Sequence, residues 1–316
     1  MGLLSSLFGG GKPNEDQQAK QEKKNFEILK YDGIRARNIH QLPYAIKCFE
    51  QAVALNEDPE TLQLLAGTYM EAGRTEDARI TLDRLVEKTP DNVQVLLSLA
   101  SVCYQQEDYE SMDRACQKAI AQDETNAVAY LMAARAAKGM KNDLQAIVML
   151  TKATVQNEEY MEAYLLRAEV LWNMRQAKDA MNDLDKVLSL APEEEDALLL
   201  KGQIHAALGE TEEAYASFDK VLEINPFNEK AYLKKGEILT EQKEFEKAVE
   251  LYTEAVELMP QNAAFYQERG RIRLLQGDKN GSIEDMKKAI ELNPENEKQI
   301  TGNYDNFKQN TTPGIY

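Results

Sequence analysis

Apolar and small residues recur along this chain at helical spacing, and the helical bursts come in pairs. Between Glu195 and Asn228, Leu198, Lys201–Gly202 and His205 stand at i, i+3/i+4 and i+7, one face of a first helix. Gly209 then stops that helix at a C′ position, and Thr211-Glu-Glu opens the next with capping chemistry and early acids. Ala214, Phe218, Val221 and Leu222 give the second helix its apolar face. Asn225–Pro226 ends it, since proline lacks the ladder N–H and pushes the residue before it out of α geometry. The pattern predicts two amphipathic helices joined by a tight turn.

The same unit recurs. Pro192, Pro226, Pro260 and Pro294 are spaced 34 residues apart, and Pro90 lies three such periods before Pro192, with Glu124 and Glu158 at the positions between. In that frame the middle of each first helix reads Gly33, Ala66, Ala100, Ala134, Ala168, Gly202, Gly236 and Gly270. The early second helix reads Ala45, Ala78, Met112, Ala146, Ala180, Ala214, Ala248 and Ser282. Seven residues on stand Ala52, Leu85, Ala119, Ala153, Val187, Val221, Ala255 and Ala289. Small residues at fixed places mark where helix axes must come closest, with larger apolar residues filling the space around them.

Tyr232, Gly236, Leu239, Ala248, Tyr252, Ala255 and Pro260 carry one unit's pattern almost complete, and on it the chain resembles the tetratricopeptide repeat (TPR) family. Eight copies cover about residues 26–296; the first, Phe26 to Asp58, is one residue short and puts Pro43 in the first turn of its second helix. The pattern's central Leu gives way to Arg167, Lys201, Lys235 and Arg269, whose long stems are expected to cover apolar surface. The resemblance implies an all-α fold, a right-handed α-α superhelix of about eight helix-turn-helix repeats, with the first helices lining a concave groove. Outside the array, residues 1–25 read as a leader and a flexible linker or frayed helix, and residues 297–316 as a cap and tail. Ile300, Tyr304 and Phe307 at i, i+4 and i+7 suit that cap, although Gly302 argues against a strong helix.

Composition narrows the function. The 316 residues include 37 Lys+Arg against 54 Asp+Glu, a formal net charge of −17, and 43% are hydrophobic, enough for a core. Such acidity repels phosphate backbones and anionic headgroups, so neither nucleic-acid binding nor polybasic membrane attachment is expected. No apolar run approaches a membrane span, and no transmembrane segment is assigned. His40 and His205 are the two histidines, far apart, and no catalytic residue, metal site or cofactor is assigned. Cys48, Cys103 and Cys116 form no CxxC, which suits a reducing, cytoplasmic setting. Cys103 and Cys116 fall on core positions of one unit and read as buried thiols; His205 reads as a structural histidine. Acid-rich runs such as Pro192–Asp196 read as solvated turns or as attraction for basic partners.

The resemblance further implies a non-enzymatic interaction scaffold that binds a peptide segment or helix of a protein partner, basic or amphipathic in character. Carried onto this chain, the family's groove positions give Leu97, Ser101 and Tyr104, then Leu131, Arg135 and Lys138, then Leu165, Glu169 and Trp172. Leu199 and Gln203 follow, then Lys230, Leu233 and Glu237. The ladder Leu97, Leu131, Leu165, Leu199 and Leu233 has two readings, an apolar strip for a partner or packing between neighbouring first helices. Trp172, the single tryptophan, is either a binding hot spot or a ring buried between helices. The carboxylate clamp by which TPR co-chaperones hold chaperone tails is not matched. Leu165/Glu169, Leu200 and Lys230/Lys234 lack its asparagines, and Glu169 repels a carboxylate. An alternative is a membrane-associated assembly factor tethered by residues 3–8, where MGLLSS fits a myristoylation pattern and otherwise reads as a frayed end. A third reading folds the terminal TTPGIY into the groove as an autoinhibitor.

Overall fold

A computed structural model of the protein describes residues 15–296, and among them every regular element is helical. The α-helices in chain order are α1 (Glu15–Asn38), α2 (Leu42–Leu55), α3 (Pro59–Glu71), α4 (Thr75–Lys88), α5 (Val93–Gln105), α6 (Tyr109–Gln122), α7 (Ala127–Gly139) and α8 (Asp143–Gln156). Then come α9 (Met161–Asn173), α10 (Ala177–Leu190), α11 (Glu195–Leu208), α12 (Thr211–Ile224), α13 (Glu229–Glu241), α14 (Phe245–Leu258), α15 (Ala263–Leu275) and α16 (Lys279–Leu292). From α3 onward each first helix starts 34 residues after the last, as does each second helix from α4; only α2 to α4 is one shorter. The fold is the all-α helical-repeat solenoid that the periodicity predicts. It comprises two compact units, Met1–Ala163 and Tyr164–Tyr316.

Each repeat turns in one way. The N–H of Glu210 donates to His205 O (2.9 Å) while that of Gly209, at φ 78, donates to Ala206 O (3.0 Å), a Schellman closure of α11. The same paired bonds close α1, α3, α5, α7, α9, α13 and α15. Glycine fills the left-handed position at Gly73, Gly209 and Gly277, but His40, Glu107, Lys141, Arg175 and Lys243 hold it at φ 56–63. A side chain there costs about 1–2 kcal/mol, so neighbouring packing imposes the turn where glycine does not supply it. Between repeats, Asp58, Asn92, Asn126, Asn228 and Asn262 cap α3, α5, α7, α13 and α15, each accepting from a backbone N–H two or three residues on. Asp108 caps α6; the hydroxyl and N–H of Ser111, with Arg79, hold its carboxyl down to about 2. That cap is intact above the ordinary carboxylate range and fades as pH falls through about 2.

Every residue of the three repeated frames is buried, from Gly33 to Gly270, Ala45 to Ser282 and Ala52 to Ala289. The first frame meets the second helix sixteen residues on. A Cβ on Gly33 would lie 2.6 Å from Phe49 Cε1, one on Gly202 2.6 Å from Phe218 Cε1, and one on Gly236 would strike the Tyr252 hydroxyl. Where the facing residue is Leu82, Cys116, Leu150 or Leu184, the same place holds Ala66, Ala100, Ala134 or Ala168. Each ring at this crossing stands opposite a glycine, leucine and cysteine stand opposite alanine, and Gly270 meets Asp285 Cβ (3.0 Å) and Met286 Cε (3.2 Å), so a ring there goes with a missing Cβ.

The four basic replacements of the pattern's Leu do more than lay down a stem. Arg167 binds Asp183 through Nε (2.7 Å) and Nη2 (2.6 Å), and Arg269 binds Asp285 likewise (2.9 and 2.7 Å). Asp285, 4% exposed, also pairs with Arg273 (2.9 Å), while Arg269 donates to Thr253 Oγ1 of the preceding repeat (3.2 Å). Lys201 and Lys235 reach back sixteen residues to Asp185 (2.6 Å) and Asp219. The planar guanidinium forks pair within their own repeat and the ammonium groups tie to the one before.

The ends stand apart from the array. The polar run read as linker or frayed helix is helical from Glu15, continuous with α1, and its exposed turns carry Gln18–Glu22 and Gln21–Asn25 side-chain bonds. Burial begins only at Phe26. Residues 1–14 and 297–316, with the tether at 3–8, the cap and TTPGIY, lie outside the described residues.

Two substitutions test these contacts. Gly202→Ala should destabilise by about 1–3 kcal/mol despite its better helix propensity, and adding Phe218→Leu should recover part of the loss in a urea melt. Asp285→Ala should cost about 3–5 kcal/mol by stranding buried guanidinium groups, whereas an exposed-surface control such as Glu246→Ala should change little.

Candidate partner-binding site

The leucine ladder resolves toward packing. Leu97 (8% exposed), Leu131 (2%) and Leu199 (4%) are buried, and Leu165 and Leu233 are half-buried. Leu97 joins Leu96, Ala119 and Ala129 in one apolar cluster, and Leu199 joins Leu198, Phe218, Ala231 and Ile238 in another. Each cluster includes the first helix of the next repeat, α7 or α13, so these leucines join successive repeats. As a fully exposed strip for a partner, the ladder is absent.

Around it the two units differ. In the first, Tyr104 on α5 remains 44% exposed, with the Arg135 guanidinium 5.8 Å from its ring centroid and Tyr109 edge-on at 6.3 Å. Arg135 is also paired with Glu162. Ser101 and Lys138 are half-buried on the same two helices. The result is a cation held between an aromatic face and a carboxylate.

In the second unit, Glu169, Trp172, Leu199, Gln203 and Lys230 line one depression of about 460 Å³, together with Asn173, Asp196 and Leu200. Leu165 and Leu233 do not line it. Trp172 is half-buried and forms a wall shared with an adjoining depression of about 290 Å³. That second hollow has Ala206, Ala207, Phe218 and Ile238 for its apolar part and Gln203, Lys234, Glu237 and Glu241 for its polar part. Lys234 and Glu237 are paired at 2.9 Å. One hollow is thus amide-rich and charged, the other floored by hydrocarbon, and Trp172 and Gln203 belong to both. Asn173 was not named from the sequence, Leu200 was placed there only at a position of the unmatched clamp, and Asp196 was taken only as the end of an acid-rich run. Asp196 stands at the second place of its repeat, the place that gives Lys230, and this was the signal that could have found it.

The remaining chemistry-bearing groups are internal. Cys48, Cys103 and Cys116 are free and buried. Burial pushes the Cys103 thiol up and that of Cys116 to about 12. His205, half-buried, sets Nδ1 2.6 Å from Glu210 Oε2 across the turn that closes α11. Among the described residues no cluster of His, Cys, Asp or Glu is arranged to hold a metal, and no helix is long and apolar enough to cross a membrane.

Helix pairs at a fixed period, closed by identical turns and presenting side chains on their first helices, define a helical-repeat interaction protein. Family models place it further: the tetratricopeptide repeat protein 21 C-terminal ARM domain matches residues 122–265, and tetratricopeptide repeat models match 41–102 and 263–296. The chain belongs to the tetratricopeptide repeat family. Among solved structures it is similar to a tetratricopeptide repeat protein from Parabacteroides merdae ATCC 43184, at TM-score 0.59 and 19% identity, covering 77% of this chain and 96% of that one. It is similar also to PilF of Pseudomonas aeruginosa (TM-score 0.55, 16% identity, 70% of this chain and 99% of that one). PilW, a type IV pilus biogenesis factor, gives TM-score 0.56 and 17% identity over 65% of this chain and 96% of that one. At these identities the likeness is one of fold. No curated protein sequence matches the chain.

The buried, hard-to-ionise thiols make a direct check. Cys103 and Cys116 should resist iodoacetamide in the folded protein near neutral pH and react once urea unfolds it; rapid labelling of the native state would contradict their placement.

Proposed function

We propose that this protein is a non-enzymatic scaffold that holds a segment of a protein partner against Trp172. Tetratricopeptide repeat proteins act in protein–protein interaction, and that general role extends to this chain through its family. The observation that carries the finer reading is the single indole standing between two hollows of different chemistry. An apolar side chain of an amphipathic segment enters the hydrocarbon-floored hollow over Phe218 and Ile238. The amides of Asn173 and Gln203, with Lys230 and Asp196, bond the segment's main chain and set its register. Trp172 supplies a large, rigid contact at low entropic cost, which is how aromatic hot spots concentrate binding energy. Tyr104 and Arg135 offer a separate aromatic and cationic contact on the first unit.

Affinity capture with wild type and Trp172→Ala, followed by titration of the captured segment, tests this. Trp172→Ala should raise Kd ~30-fold, about 2 kcal/mol, with the melting temperature nearly unchanged. Equal losses of affinity and of melting temperature would assign the ring to packing and remove the hot spot.

A further inference from the structure

The outward side of α8 departs from its equivalents. Leu144 (68% exposed), Val148 (47%) and Val155 (68%) stand on one solvent-facing stripe with exposed Thr151 and Lys152. At the place of Leu144 the other second helices from α4 onward carry Glu76, Glu110, Lys178, Glu212, Glu246 and Asn280. At the place of Val155 they carry Glu87, Glu223, Glu257 and Glu291, with Ala121 and Ser189. Each of those helices exposes at least one carboxylate, and the exposed positions of α8 hold none. Lys152 is the one charge on the stripe, and its ammonium leans 5.5 Å from the Tyr130 ring centroid. Apolar side chains so exposed lose hydration favourably only when something covers them.

We propose that a second copy of this chain covers the stripe, by antiparallel pairing of α8 with α8 about a two-fold axis. Charge is the first reason. Two copies at −17 each repel wherever carboxylates dominate their surfaces, and this stripe lets like-charged copies touch without opposing acids. Spacing is the second. Residues 144, 148, 151 and 155 are separated by four, three and four, a series that reads the same in both directions. A dyad between residues 149 and 150 therefore sets Leu144 on the partner's Val155 and Val148 on the partner's Thr151, the small central pair allowing close axial approach. One helix stripe is less than the area of a stable standard interface, so the pair is weak and concentration-dependent.

Sedimentation of the full chain over a wide concentration range tests this. A rise from monomer toward dimer mass, strengthened by added salt as it screens the self-repulsion, is expected. Leu144→Glu with Val155→Glu, which restores the residues found on sister helices, should abolish the dimer and leave the melting temperature unchanged. Thr151→Cys, beside the dyad, should be joined to its copy by a short bismaleimide, and Glu212→Cys at an exposed site on α12 should not. A monomer at every concentration and salt, or a dimer that survives the double glutamate substitution, overturns the proposal.

Discussion

The contact between the two helices of each repeat limits everything else. A helix pair approaches closely only if the side-chain volume at the crossing stays small, and here each ring on the second helix is matched by a glycine on the first. Gly202 faces Phe218 where Ala134 faces Leu150, and Gly33 faces Phe49 where Ala168 faces Leu184. A ring on one helix requires the absence of a Cβ on the other, because interiors packed like crystals leave no slack for a carbon 2.6 Å away. Once the pair is locked, its period sets the position of every turn, cap and outward-facing residue.

That locking explains how charge enters a core built on small apolar contacts. Arg167 and Arg269 occupy a place where the repeat pattern calls for leucine, and each finds a carboxylate sixteen residues on in its own second helix. Burial would make an isolated guanidinium costly, and bidentate pairing offsets it. Lys201 and Lys235 use their flexible stems to join one repeat to the one before. The substitution of basic residues for Leu thus turns packing positions into ties between helices. In the second unit the buried Leu199 contributes to the same depression that Trp172, Gln203 and Lys230 line.

Recognition surfaces in such a protein are what packing leaves over. On the first helices, the residues beside the buried leucines remain accessible: Tyr104 with Arg135 in one unit, Trp172 with Gln203 in the other. On the second helices from α4 onward, the leftover face exposes at least one carboxylate except on α8. The same chain can therefore carry two surfaces of different chemistry without altering its repeats, because inner and outer positions belong to different phases of one helical period.

Repeat length, helix pairing and the buried frames were legible in the residues, because a 34-residue recurrence of small side chains leaves few alternatives to stacked helix pairs. Gly209 announced its turn; Glu107, Lys141, Arg175 and Lys243 adopt the same left-handed geometry with no local signal, since neighbouring packing imposes it. Trp172, Gln203 and Lys230, expected from the family's positions, line one depression, whereas the burial of Leu97, Leu131 and Leu199 depends on how the next helix packs, which periodicity does not encode. Likewise Asn173 and Asp196 join the hollow, and Arg167 meets Asp183, through contacts between separate elements. The residues by themselves determined what repeats; the packed helices decided which of the repeating positions are spent on one another and which remain for a partner, because that choice is made by distances across the fold.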